Sequence, residues 1–364
     1  VSAQPPALGG RLCVCVGAGG VGKTTVAAAI ACLRAAGGER VAVVTIDPAP
    51  RLAQALGLQE LSGEPRRVPG AGELWAMRLD PKRTLDELIA SLAPNDQARE
   101  RALSNRIYRE LSGAVAGSQE FSAVAKLYEL DRDGGFDAIV LDTPPSRNAL
   151  DFLDAPARLT HFFEGRALRL LLAQGGFATR AASRASAPFL GVLGRLTGAG
   201  VLREITAFFA AIAGMVDALA ERAAGVSALL RDPATSFVLV SSPRREAIEE
   251  AIAFAGELRH AELQLSALVV NRVHPLDALA ADPAALEALL GPRLAALVAA
   301  ECDELELLSL ADAAAVDRLR AAFGELEPLL IPDLGDGIED LDGLARIGRY
   351  LERSMKSTPP SAAQ

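Results

Sequence analysis

LCVCVGAGGVGKTT, residues Leu12 to Thr25, is the stretch from which the rest of the chain can be placed. Leu12 to Val16 form an unbroken apolar run, the pattern of a central strand covered on both faces. Gly17, Ala18, Gly19, Gly20, Val21 and Gly22 follow, then Lys23, Thr24 and Thr25, then the helix-forming VAAAIACLRAA. The spacing G-x-x-x-x-G-K-T between a strand and a helix is that of a phosphate loop. Its glycines let backbone N–H groups turn inward on a polyphosphate, and the helix start adds a partial positive charge there. In such a loop the lysine, here Lys23, reaches the β and γ phosphates, and the hydroxyl of Thr24 ligates Mg²⁺. A glycine-rich turn with an incidental lysine would not need the strand before it and the helix after it. The chain is expected to bind a nucleoside triphosphate, with Gly17 to Thr25 as the cradle.

The bulk composition agrees with this placement. Half of the 364 residues are apolar and only 4% are aromatic, so the core has to be built from Ala, Leu, Val and Ile. That suits a helix-rich α/β protein and argues against disorder. The net charge of −9 disfavours non-specific binding to nucleic acid or to anionic membranes. Cys13, Cys15, Cys32 and Cys302 include no C-x-x-C pair, which fits buried free thiols in a reducing compartment rather than a metal site or disulfides. His161, His260 and His274 are scattered without ligand spacing. VSAQPPALGG lacks the basic start and apolar core of a signal peptide. The longest apolar stretch, Ile205 to Val216, is too short to span a bilayer. A cytoplasmic location is expected.

Strands alternate with helices along the chain. After a flexible lead-in at residues 1–10, ERVAVVTID (Glu39 to Asp47) reads as a second strand ending in an acidic residue, with PAPRLAQALGL after it. An aspartate at the carboxyl end of such a strand faces the ligand crevice of an open sheet. Asp47 therefore either orients an attacking water or caps the following helix. Gln59 to Gly72 reads as a turn-rich loop, LWAMRLD as a strand, and Pro81 to Glu129 as helices. FDAIVLD (Phe136 to Asp142) is an apolar strand ending in Asp142. In phosphate-loop enzymes that carboxylate holds Mg²⁺, directly or through water; the alternative is again a helix cap.

Arg147 to Arg231 carries no strand signal, and Ile205, Phe208, Ile212, Met215 and Leu219 fall on one helical face. This stripe suits a core, a subunit contact or a groove for an apolar client. A helical subdomain over about 150–230 is expected between sheet strands. Strands resume at SFVLVS (236–241), LSALVVN (265–271) and LLIPDL (329–334), with helices over 244–258, 276–327 and 341–355, and a tail over 356–364. The fold class is α/β, a doubly wound and mostly parallel sheet with an inserted helical subdomain, within one phosphate-loop domain over residues 11–353. No internal repeat marks a tandem duplication.

Four separated motifs together resemble the ArsA/Get3-type ATPases, related to MinD and ParA. They are GAGGVGKTT at Gly17–Thr25, TIDPAPRL at Thr45–Leu52, LDTPPSRNALDFL at Leu141–Leu153 and VVNRVHP at Val269–Pro275. The resemblance covers roughly residues 11–353 and implies an ATPase that uses ATP and Mg²⁺. It implies that Asp47 positions or deprotonates the attacking water, that Asp142 is associated with Mg²⁺, and that Asn271 hydrogen-bonds adenine. It also places the segment around Pro332 against the base. Both switch segments of the family sense the γ-phosphate, so hydrolysis is expected to release them and move the helical subdomain.

The sequence departs from the family pattern at four places. Position 18, where the family usually carries a lysine that reaches across a dimer to the partner's nucleotide, is alanine. Slow turnover is therefore expected, as a homodimer or as a heterodimer with a paralogue that supplies the lysine. The zinc-binding C-x-x-C of the eukaryotic targeting branch is absent, so no zinc is expected, and no cysteine set resembles an arsenite site. Only Met77, Met215 and Met355 are present, which leaves a hydrophobic client or membrane-associated partner without a methionine-rich groove. Finally, the second switch reads DTPPSRN where the family more usually has DTAPTGH, so that Pro144 stiffens it and Arg147 replaces a glycine.

Overall fold

The computed structural model describes residues 8–105, 108, 118–143, 215–263, 265–274, 283–324, 326–335, 338 and 340–357. They divide into two compact units, one within Val1–Arg78, Gly135–Ala149 and Pro233–Gln364, the other within Leu79–Gly134 and Leu150–Asp232.

The first unit is a sheet of eight strands: β1 (Leu12–Gly17), β2 (Val41–Thr45), β3 (Arg66–Arg67), β4 (Leu74–Arg78), β5 (Ala138–Asp142), β6 (Thr235–Ser241), β7 (Leu265–Val273) and β8 (Leu329–Pro332). Their order across the sheet is β3-β4-β2-β5-β1-β6-β7-β8, and every pairing is parallel except β3 with β4. β2, β5 and β6 are buried at every position, as expected of apolar strands covered on both faces. The antiparallel β3 lies inside the segment read as a turn-rich loop. Two exposed arginines carry no strand periodicity, and the pairing is made by Arg66 and Arg67 lying opposite Ala76 and Trp75. In chain order, the strands after β1 first build outward on one side and return to β5 beside it. They then cross to β6 on the other side. The loop after β1 consequently opens at the reversal of strand order, where open α/β sheets bind ligands.

Helix α1 (Lys23–Ala36) follows that loop. Val26 to Ala31 are all fully buried, so α1 is enclosed around its circumference rather than on one stripe. Small alanines allow this close approach. Helix α9 (Leu341–Ser357) closes over α1 with Leu344, Ile347 and Leu351, each fully buried in the same core cluster. The remaining helices of this unit are α2 (Arg51–Ala55), α7 (Arg245–His260) and α8 (Pro283–Phe323). Gly291, at φ 76° and just before Pro292, breaks α8 into two helical runs.

The second unit contains α3 (Pro81–Leu92), α4 (Asp96–Ser104), α5 (Ser118–Asp133) and α6 (Val216–Arg231). Asp80 caps α3 by accepting the N–H of Arg83 at 3.0 Å, and Asn95 caps α4 by accepting that of Ala98 at 2.8 Å. Leu88, Ile89, Ala102, Met215 and Leu219 share its core. Met215 and Leu219 of the predicted helical stripe are thus buried. Ile205, Phe208 and Ile212, and most of the expected 150–230 subdomain, lie outside the described residues. Among the described residues no helix is long and apolar enough to cross a membrane.

Candidate active site

The phosphate loop is shaped by two glycines that no other residue could replace without rearrangement. Gly17 ends β1 at φ 144°, where an added Cβ would come 2.0 Å from the carbonyl oxygen of Val240 on β6. Gly22 precedes α1 at φ 94°, where a Cβ would come 2.3 Å from Nδ2 of Asn271. Both requirements are tertiary: Gly17 is pressed against β6 and Gly22 against Asn271 of β7. Asn271 donates from Nδ2 to the carbonyl of the buried Val21 at 2.9 Å, which ties the loop to β7.

Lys23 is 6% exposed. Its ammonium donates to the carbonyls of Gly17 at 2.9 Å and Ala18 at 2.8 Å, holding it along the loop. Burial lowers its pKa, the carboxylates of Asp142 and Asp47 act in the opposite direction, and the nearby charge of Arg51 lowers it further. Sheet register places the acidic groups. Asp142 lies opposite Cys15 on β1 and Thr45 on β2, so one side chain is set between two strand ends. Its Oδ2 accepts the hydroxyl protons of Thr24 and Thr45, both at 2.9 Å. Its Oδ1 is buried with no partner among the described residues. Burial raises the Asp142 carboxyl to about 6, against the opposing effects of Thr45, Thr24 and Lys23.

A hydroxyl beside a carboxylate with one unpartnered oxygen is a hard-oxygen donor pair. Such a pair fits Mg²⁺, which takes one or two protein oxygens and completes its shell with water and phosphate. Thr24 and Asp142 are the residues that would hold it.

Asp47 ends the segment after β2. Its Oδ1 accepts the N–H of Ala49 at 2.9 Å, and its Oδ2 accepts from Nη1 of Arg51 at 3.1 Å. Thr143, next to Asp142 in sequence, donates its hydroxyl to the Cys15 carbonyl at 2.7 Å, which anchors the start of the DTPPSRN segment to β1. The rest of that segment, including Pro144 and Arg147, lies outside the described residues.

These groups border a cleft of about 850 Å³. Gly19, Gly20, Gly22, Lys23, Thr24, Thr25 and Asp47 line it, whereas the buried Asp142 does not and is linked to it by its bond with Thr24. Asn271 reaches it only through the loop. Pro332 pairs with Val273 at the end of β8 and is not among the lining residues. Arg51, Gln54, Thr143, Arg272 and Ile338 also line the cleft and are not among the site residues expected from the sequence. Arg51 was detectable as a cation four residues after Asp47, and Thr143 and Arg272 as neighbours of motif residues. Gln54 and Ile338 carry no local signal.

Comparison with known proteins bears on this geometry. A family model described as anion-transporting ATPase matches residues 11–287. The chain is 24% identical over 347 residues to an ATPase GET3 of Podospora anserina, covering 95% of this chain and 91% of that protein. It is 28% identical over 260 residues to an ATPase ARSA2 of Chlamydomonas reinhardtii, covering 71% and 66%. Over 258 residues it is 26% identical to an ATPase get3 of Schizosaccharomyces japonicus, covering 71% and 72%.

Proposed function

The chain belongs to the anion-transporting ATPase family, and we propose that it is itself a Mg²⁺-dependent ATPase whose nucleotide cycle drives a dimer acting on a partner. The observation that carries this reading is the convergence of Lys23, Thr24 and Asp47 on one cleft at the switch point of the sheet, with the buried Asp142 bonded to Thr24. In the proposed reaction, loop amides and the Lys23 ammonium hold the triphosphate tail and stabilise charge on its equatorial oxygens. Asp47 accepts a hydrogen bond from the attacking water and holds it in line with the γ-phosphorus. Thr24 and Asp142 would hold the divalent cation, which would supply charge neutralisation at the phosphates. Asn271 keeps the loop in register by bracing Val21, and the adenine contact implied by the resemblance would use its carbonyl oxygen.

Because Asp47 and Thr143 border the same cleft and start the two switch segments, loss of the γ-phosphate would release both together. Ala18 favours a second reading of the same family role. With no cation from that position, the chain would serve as the hydrolysis-poor half of a heterodimer with a paralogous ATPase. A cytoplasmic location and a hydrophobic or membrane-associated client belong to this proposal as well.

Calorimetry of the full chain with ATP at millimolar Mg²⁺, together with phosphate release, tests the reading. Binding that is lost in Lys23→Ala, with measurable turnover of the wild type, supports the ATPase. Tight binding without turnover supports the regulatory half. No binding heat with either protein would remove both.

A further inference from the structure

Among the described residues, three cations line the cleft: Lys23, Arg51 and Arg272. The loop supplies only the first, since Ala18 is neutral and rests against the hydrophobic core. Arg51 stands apart from Arg272 in its connections. Its Nη1 meets Asp47 Oδ2 at 3.1 Å, and its charge is felt at Lys23. It is therefore near both the group that faces the attacking water and the group that grips the phosphates.

The pair with Asp47 does not explain Arg51 as a structural residue. The guanidinium side of the pair is 62% exposed and the carboxylate side 13%. An ion pair with so open a partner contributes little to stability. Arg51 is also the first residue of α2, the end of a helix where a cation is electrostatically disfavoured. A long cationic side chain held weakly on the rim of a phosphate cleft can leave its carboxylate partner at little cost. Its planar fork of N–H groups matches two oxygens of a phosphoryl group.

We infer that Arg51 is the cation this chain itself supplies to the γ-phosphoryl group, in place of one delivered by a second subunit. The inference rests on the ATPase reading above and concerns the same site. Two N–H groups of Arg51 donate to γ-phosphoryl oxygens as a water oxygen forms its bond to phosphorus. The bond from phosphorus to the β–γ bridging oxygen breaks, and its electron pair stays on that oxygen, which leaves as part of ADP. The proton released by the water passes to the product phosphate or to solvent by way of Asp47. Arg51 is thus both a reporter of the third phosphate and a stabiliser of the transferring group, an effect that in phosphoryl-transfer enzymes reaches 10³ to 10⁵ in rate.

The test compares wild type, Arg51→Ala, Arg51→Lys and Arg272→Ala as full-length proteins. ATP and ADP affinities are read by calorimetry with Mg²⁺, and hydrolysis under single turnover. Thermal unfolding of each variant controls for folding. In Arg51→Ala, the hydrolysis rate is expected to fall by about 10²-fold or more. The preference for ATP over ADP should fall at least about tenfold, while ADP affinity stays within about threefold. Arg51→Lys should recover only part of the rate, because an ammonium cannot make the forked contact. Added guanidinium should rescue Arg51→Ala and not Arg51→Lys. An unchanged ATP-to-ADP ratio in Arg51→Ala overturns the inference, as does an equal loss of that ratio in Arg272→Ala, which would mark a general field of the cleft. Wild-type protein that binds ATP without turnover would remove the hydrolase reading, and the affinity ratio would still decide Arg51. Wild-type protein that binds neither nucleotide overturns both.

Discussion

Asn271 and Val21 are 250 residues apart in sequence, and the amide of the first donates to the carbonyl of the second at 2.9 Å. The contact makes the phosphate loop a product of two strands: β1, which leads into it, and β7, which braces it. Gly22 is confined by the same brace, since any side chain there would strike Asn271.

Gly22→Ala should therefore fail for two separable reasons. A residue with a Cβ at φ 94° carries about 1–2 kcal/mol of backbone strain, and its methyl would collide with Asn271. Asn271→Ala added to Gly22→Ala relieves the collision and leaves the strain. Thermal unfolding of the double variant should lie above that of Gly22→Ala, while ATP binding by calorimetry remains impaired in both.

Asp142 gives the fold a pH dependence. A carboxyl raised from 3.8 to about 6 binds its proton more tightly in the folded than in the unfolded chain. Its ionisation therefore opposes folding. The penalty is absent below pH ~4, develops between pH ~4 and ~6, and is complete above, at roughly 3 kcal/mol. Asp142→Asn should raise the unfolding temperature of the ligand-free protein at pH 7.5 and flatten its pH dependence over that window. The same variant should lose the Mg²⁺-dependent part of nucleotide affinity. In the wild type that part should weaken as pH falls through 6, because the cation competes with the proton for Asp142.

Asp47→Asn separates water positioning from binding. The amide keeps the size of the carboxylate and loses its basicity. Hydrolysis should fall by about 10²- to 10⁴-fold, with ATP affinity within a few-fold of wild type. Phosphate-release kinetics and calorimetry on the same preparation check this. A parallel loss of both would assign Asp47 to the loop's architecture.

Ile347→Ala tests whether α9 is part of the phosphate-loop core. Ile347 is fully buried in the cluster that contains α1, so truncation should cost about 2–5 kcal/mol in urea unfolding. Leu310→Ala on α8, whose side chain is 52% exposed, should change stability by less than about 0.5 kcal/mol in the same assay.

Most of the sheet was readable from local pattern. The apolar runs at Val41–Thr45, Ala138–Asp142 and Thr235–Ser241 are fully buried strands, because a parallel sheet covered on both faces demands continuous hydrophobicity. The pair Arg66–Arg67 became a strand only because β4 lay within reach, and two charged residues give no warning of that. Of the cleft residues, the loop and the strand-terminal Asp47 were legible because chemistry at the carboxyl ends of strands is a property of the architecture. Ile338 and Gln54 were not, since their place in the cleft depends on how distant loops return to the sheet.

From the order of its residues, then, this chain settles that it makes a phosphate loop between a buried strand and an alanine-rich helix. Spacing and hydrophobic period act over a few residues and need no partner to be read. Which acid lies beneath Thr24, which amide supports Val21 and which guanidinium meets Asp47 were decided by folding. Strand order and register bring together groups that are separated by up to hundreds of residues, and no local periodicity encodes those pairings.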